Sequence, residues 1–356
     1  MTRTTRSSSF PVAAARPVRW TMLALILIAV LLLVVRSASA QTPVDPPYLP
    51  APNAPTGDLA LDRIYYGAVP AGGESAPVLV FVPGLGGVAA DWWGPTFVVE
   101  EGDNDMYALA YRSGYRTAFV TLTERGEPGN DKWENGKRLA TQINAIATHY
   151  GVDRVNLVGH SKGGIDSHAA IVGRAGEFAG AVARVRNLIT LSTPHQGSAM
   201  ADFAMTERGQ SLLNQVGLPF KVDGALAGIT TEAMAAFRAE VDAQTEINRQ
   251  VRFFTAGGTS WGPQNGVLRI SGSFLGSSEG ASDGLVTVAS TVLPSVPCSR
   301  VLFVQPYTHF DVHLGRNAIR WIHAVMQRYG TGIGCTQPAP SPAISSIPLL
   351  GGISIP

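Results

Sequence analysis

Residues 157–164 read Leu-Val-Gly-His-Ser-Lys-Gly-Gly, and Ser161 among them has the setting of a nucleophile. A short apolar run, 155–158, leads into Gly159-His160-Ser161-Lys162-Gly163, and an amphipathic stretch follows. Strand, sharp turn and helix is the order that a G-x-S-x-G elbow needs. The glycines let the chain fold back on itself, so Ser161 holds a strained conformation with its hydroxyl above the sheet. A serine hydroxyl attacks a carbonyl carbon only if a base takes its proton, and the base needs an acid to orient it. Behind such an elbow the acid comes next in the chain and the histidine last. Asp283, in Ser282-Asp283-Gly284-Leu285-Val286-Thr287, is the candidate acid; its plain alternative is a turn-former. The histidines beyond it are His309, His313 and His323. His309 lies in the loop after the apolar run 301–304 and is the favoured base. His313, at the opening of the last helix, is its rival, and His323 inside that helix reads as structural.

A second apolar run, 78–82, is followed by Pro83-Gly84-Leu85-Gly86-Gly87. This segment is similar to the His-Gly-x-Gly segment of lipases, with Pro83 in place of the histidine. The amides of Leu85 and Lys162 are the expected oxyanion donors, each typically worth about 2.7–4 kcal/mol. These pieces, with Leu191-Ser192-Thr193-Pro194-His195-Gln196-Gly197-Ser198 and His309-Phe310-Asp311, resemble the α/β-hydrolase superfamily. The resemblance is to its bacterial secreted lipases and esterases, of the triacylglycerol lipase kind. It covers residues 78 to about 328, and Lys162 stands where many relatives carry Met or Leu. It implies hydrolysis of carboxylic esters, often lipid esters, by a Ser161–Asp283–His309 triad without a cofactor. Several members bind a structural calcium through an Asp two residues after the histidine. Asp311 occupies that position, but no Asp lies between Asp242 and Asp283 to partner it, so Asp311 is a calcium candidate alone. The expected partner is an ester or lipid substrate, taken in solution or at a lipid–water interface. Acyl transfer and polyester depolymerisation use the same triad and stay open. A catalytically idle binding module would need a broken triad or blocked elbow, and neither is seen.

The elements that must position these groups alternate. Strands are read at 78–82, 117–121, 155–158, 188–191, 251–256 and 301–304, and helices at 135–150, 163–173 and 316–329. Such alternation predicts a mostly parallel sheet with helices on both faces. The stretch from about 199 to 250 carries Leu212, Leu213, Val216, Leu226, Ile229, Met234 and Phe237 at helical spacing. It reads either as a lid over the site or as a plain packing pair. His195 reads as a hydrogen-bonded wall residue. Trp92 and Trp93 are read equally as pocket lining or loop packing, and Asp103-Asn104-Asp105 as a solvated turn lacking the ligands of a calcium loop.

The ends of the chain differ in kind. Arg3, Arg6, Arg16 and Arg19 precede a 15-residue apolar run at 21–35, and Ala38-Ser39-Ala40 is an A-x-A site. The first 40 residues therefore predict a cleaved signal peptide and a secreted or periplasmic protein; an uncleaved membrane anchor is the alternative. Cleavage removes five arginines and no acid, taking the formal charge from +1 to −4. With no basic stripe left, nucleic acid is excluded as a partner. Residues 41–57, with six prolines, read as a linker, 58–336 as the hydrolase domain and 337–356 as a Pro- and Ser-rich tail. Cys298 and Cys335 are the sole cysteines and, in an oxidising compartment, predict a disulfide.

Overall fold

The computed structural model describes residues 50–95, 103–123, 131–215, 224–261, 266–330 and 335. The expected signal peptide, most of the Pro-rich linker and the tail lie outside the described residues. No helix among the described residues is long and apolar enough to cross a membrane.

Eight strands form one sheet: β1 (Ala51–Pro52), β2 (Ile64–Tyr66), β3 (Val78–Val82), β4 (Arg116–Val120), β5 (Val155–His160), β8 (Val185–Leu191), β9 (Arg252–Gly258) and β10 (Ser299–Gln305). A separate hairpin, β6 (Gly173–Arg174) with β7 (Phe178–Ala179), stands between β5 and β8 in the chain. The order across the sheet is β1-β2-β4-β3-β5-β8-β9-β10. From β4 to β10 every pairing is parallel, while β1 and β2 join antiparallel at one edge. A parallel sheet buries both faces, which is why β3 and β4 are buried at every position. Side chains still alternate in direction. Val78, Val80 and Val82 pack against α2 (Lys132–His149) and α3 (Lys162–Val172) in one core, with Leu139, Ile143 and Ile165. Leu79 and Phe81 face the other core, with Met106 and Tyr107 of α1 (Met106–Arg112) and Ile322 and Val325 of α10 (Gly315–Tyr329). The expected α/β-hydrolase architecture is therefore present.

Chain order reverses between β3 and β5: β4 lies to one side of β3, whereas β8, β9 and β10 follow on the other. Ligand crevices open at the carboxyl ends of strands at such a switch point. The ends that meet there are Pro83 after β3 and Ser161 after β5.

Three differences from the sequence reading stand out. Residues 51–52, read as linker, pair with β2 as an edge strand, and the amide of Asn53 donates to Ile64 O at 2.6 Å. The stretch 199–250 is several short helices: α4 (Ala199–Ala204), α5 (Glu207–Gln215), α6 (Gly224–Ala227), α7 (Thr231–Asp242) and α8 (Thr245–Asn248). Its parts do different work. Met234, Phe237 and Val241 of α7 are core residues, whereas α4 and residues 226–229 border the cleft described below; 216–223 lie outside the described residues. A further helix, α9 (Gly266–Ser278), lies between β9 and β10, where the sequence reading places no element.

Cys298 and Cys335 are joined, closing a loop across 37 positions that contains β10 and α10. In the chain-entropy account such a loop stabilises the fold by about 3–4 kcal/mol. Thiol titration of the denatured, unreduced protein should find no free thiol, and reduction should lower the Tm. Two titratable thiols would show that the bridge does not form.

Candidate active site

The turn after β5 puts Ser161 at φ 51°, ψ −129°, a conformation that side chains other than glycine rarely adopt. Close packing enforces it. A Cβ on Gly163 would come within 2.3 Å of Pro83 O, and one on Gly159 within 2.7 Å of the Gly164 amide. Elbow and β3 loop are thus pressed together. The Ser161 amide donates to Leu191 O at 2.9 Å, which ties the turn to the end of β8.

His309 Nε2 lies 3.1 Å from Ser161 Oγ, and His309 Nδ1 lies 2.9 Å from Asp283 Oδ2. The backbone locks this chain of bonds. The His309 amide donates to Asp283 O at 2.9 Å. Asp283 Oδ1 accepts the amides of Leu285 and Val286 at 3.0 and 2.8 Å. The Ser-Asp-Gly turn therefore wraps its own carboxylate, leaving Oδ2 for the imidazole. Asp283 is fully buried, so its carboxylate meets the imidazole without competition from bulk water.

His313 and His160 support this loop from beneath. His160 Nε2 lies 2.9 Å from His309 O, so as an N–H donor it holds the backbone of His309. The His160 and His313 rings stack at 4.1 Å, and His313 meets Trp92 edge-on at 5.4 Å. Burial keeps both imidazoles neutral, helped by the neighbouring histidines: His160 titrates well below the ordinary range and His313 is lowered to about 3. His323, the third downstream histidine, pairs through Nδ1 with Tyr115 Oη at 2.8 Å and stays apart from the site.

Lys162 is the first residue of α3, so its N–H is one of the amides a helix cannot satisfy internally, and no side chain caps it. Leu85 lies in the loop facing it. Gly84 packs so closely that a Cβ there would stand 3.0 Å from Ser161 Cβ. Leu85, Gly86, Ser161 and His309 all line one apolar cleft of about 1190 Å³, open mouth included. Its far wall is built by Met200, Ala204, Leu226, Ile229, Leu285 and Val286. Lys132 secures part of that wall: its Nζ donates to Gly228 O at 2.9 Å.

The remaining sequence candidates separate cleanly. His195 is fully buried, pairs with Thr190 Oγ1 at 3.0 Å and does not line the cleft. Trp92 lines the cleft, while Trp93 packs on Phe119 at 5.1 Å. Asp311 Oδ2 accepts from Thr308 Oγ1 at 2.9 Å and closes a local turn. Among the described residues no cluster of three or more His, Cys, Asp or Glu could hold a metal ion. The reading of 103–105 as a solvated turn fails at Asn104. That side chain is buried, bonds Asp91 O and His313 O, and accepts the amides of Met106 and Gly315. It joins the starts of α1 and α10, a long-range role that a short polar run does not reveal.

A switch-point serine on a strained elbow, in a mostly parallel sheet, defines the α/β-hydrolase class. Known proteins agree. The family model described as "Putative serine esterase (DUF676)" matches residues 75–225. The mature form of the Bacillus licheniformis lipase BlEst2 is 30% identical with a TM-score of 0.58, covering 71% of this chain and 91% of that one. Its propeptide form is 28% identical with a TM-score of 0.60, covering 83% of this chain and 55% of that one. A triacylglycerol lipase of Pseudarthrobacter phenanthrenivorans is 36% identical over 70 residues, 19% of each chain. The chain thus spans about a fifth of the length of the curated relatives it matches. The chain belongs to the lipase and esterase family of α/β-hydrolases, a family of carboxylic ester hydrolases.

Proposed function

We propose that this protein is an exported serine hydrolase that cleaves esters of apolar acyl chains through Ser161, His309 and Asp283. The observation that carries the reading is the unbroken Ser161–His309–Asp283 chain of hydrogen bonds opening onto an apolar cleft. His309 Nε2 takes the Ser161 Oγ proton as Oγ attacks the ester carbonyl. Asp283 holds the Nδ1–H tautomer and balances the imidazolium that forms. The amides of Leu85 and Lys162 donate to the oxyanion. His309 then protonates the departing alcohol; a water next gives its proton to His309 as it attacks the acyl-enzyme carbonyl, and His309 returns that proton to Ser161 Oγ as the acid leaves. No step calls for a cofactor.

A lipid substrate is supported by the cleft wall and by what surrounds it. Met205 follows α4, whose Met200 and Ala204 line the cleft, and is exposed; Ile270 and Phe274 of α9 are exposed as well. The Phe203 and Phe274 rings lie 5.1 Å apart, so the apolar surface continues from α4 onto α9. Export is supported by the signal-like first 40 residues and by the disulfide.

Rates on p-nitrophenyl esters from acetate to palmitate, with and without an emulsified interface, test this reading. Turnover should rise with acyl length beyond acetate and be stimulated by emulsion. A maximum at acetate with no stimulation would sink the lipid substrate and leave the ester hydrolase. Failure of Ser161 to label with a fluorophosphonate would sink both.

A further inference from the structure

Beneath the nucleophile turn lies a pair of charges that this chemistry does not use. Lys162 and Asp166 are each 2% exposed. Lys162 Nζ donates to Asp166 Oδ1 at 2.7 Å and to Oδ2 at 2.9 Å, bridging one turn of α3. Asp166 Oδ2 also accepts from Asn135 Nδ2 of α2 at 2.8 Å. A well-packed apolar pair can fill such a space without the desolvation of two ions. The bridge therefore calls for a reason beyond stability.

Its location supplies one. The backbone of Lys162 carries the amide assigned to the oxyanion, and its side chain is buried on Asp166. The joint just before it is Ser161 at φ 51°. A strained residue persists only where its surroundings over-determine it. The first turn of α3 lacks a side-chain cap. The Ser161 amide on Leu191 O and the close packing of Gly163 on the β3 loop hold that turn against the sheet; the run from Lys162 through Asp166 to Asn135 ties it to α2.

We propose that Lys162 is a positioning residue: its ammonium group, gripped by Asp166 and through it by Asn135, braces the first turn of α3 against α2 and keeps the Lys162 amide aimed at the oxyanion. The inference rests on the ester-hydrolase reading above. The ammonium touches no substrate and acts only through the amide. An oxyanion exists only in the tetrahedral species, so the effect belongs to the transition state and not to substrate binding.

Two variants test it. Lys162→Met removes the ammonium group and strands Asp166; the double variant Lys162→Met with Asp166→Asn removes both charges. In each, kcat on a p-nitrophenyl ester should fall about 10- to 100-fold, the range for a misplaced group, with KM unchanged. Affinity for an alkylboronic acid, which forms a tetrahedral adduct on Ser161, should fall by the same factor. The single variant should lose Tm and the double variant should regain it. If the bridge serves only to balance charge in the core, the double variant recovers kcat together with Tm, and the proposal is overturned. Unchanged kcat in the single variant overturns it too. A wild type that turns over no ester removes the underlying reading and this inference with it; an active wild type indifferent to Lys162 removes the inference alone.

Discussion

Ser161→Ala should leave the fold intact and bring ester hydrolysis to background. The hydroxyl makes its hydrogen bond to His309 at a surface that opens on the cleft, so its loss removes one bond and creates no buried void. Among the described residues no other hydroxyl meets an imidazole that is in turn held by a carboxylate. His309→Ala should reduce turnover to nearly the same extent, because triad members act as a unit; the expected loss is about 10⁴-fold or more. His313→Ala separates base from support. His313 stacks on His160 behind the reacting line, so its removal should weaken the loop and lower the Tm while costing far less activity. Circular dichroism with kcat/KM for the three variants checks this. A His313→Ala protein that is folded and dead beside an active His309→Ala would exchange the two assignments. More than about a hundredth of wild-type activity in a folded Ser161→Ala would end the triad reading altogether.

What could be read from the sequence, and what could not, follows the range of the forces involved. The elbow was legible because its constraint is local. Gly163 and Gly159 are glycines since a Cβ would collide with Pro83 O and with the Gly164 amide. The buried strands were legible because both faces of a parallel sheet demand apolar residues. The Asp283 turn announced itself through Ser-Asp-Gly, whose amides wrap the carboxylate. By contrast α9 is not legible in the sequence, because Ser271, Gly272, Ser273 and Gly276 oppose helix formation by propensity. Tertiary packing overrides them: a Cβ on Gly272 would stand 2.2 Å from Trp261 Cγ, so the glycine makes room for the indole. The strands β1 and β2 are not legible in the sequence because runs of two and three residues are too short to show a period. Asn104, and the buried set of His168, Arg238 and Asn248, were missed because their partners lie far away in the chain; His168 and Asn248, bonded at 3.0 Å, are separated by 80 positions.

That buried set leads to the second large effect: the fold should fail steeply in mild acid. His168 Nδ1 accepts from Arg238 Nη2 at 3.0 Å, and its Nε2–H donates to Asn248 Oδ1, so both nitrogens are committed in the neutral form. Burial, reinforced by the Arg238 charge, holds His168 and His195 well below the ordinary histidine range. His160 is held down by burial and by its neighbours His313 and His309, and His313 is lowered to about 3. In the unfolded chain each titrates near 6.5. Between pH of about 6.5 and the lowered folded values, the unfolded state therefore binds more protons, and stability falls as pH falls. Asp166 and Asp242 are shifted up by burial and act against this trend. One proton per histidine is worth about 1.4 kcal/mol per pH unit, so the four together approach about 5 kcal/mol per unit. Against a typical total of about 5–15 kcal/mol, this is a large share, so the Tm should fall as pH drops below about 6.5. Thermal melts followed by circular dichroism from pH 7.5 to 4 give the proton uptake from the slope of Tm against pH. His168→Gln keeps an acceptor for Arg238 but cannot take a proton, so its slope should be shallower than wild type by about one proton. A Tm that stays level from pH 7 to 5, or a His168→Gln slope equal to wild type, would show that these histidines do not govern acid stability.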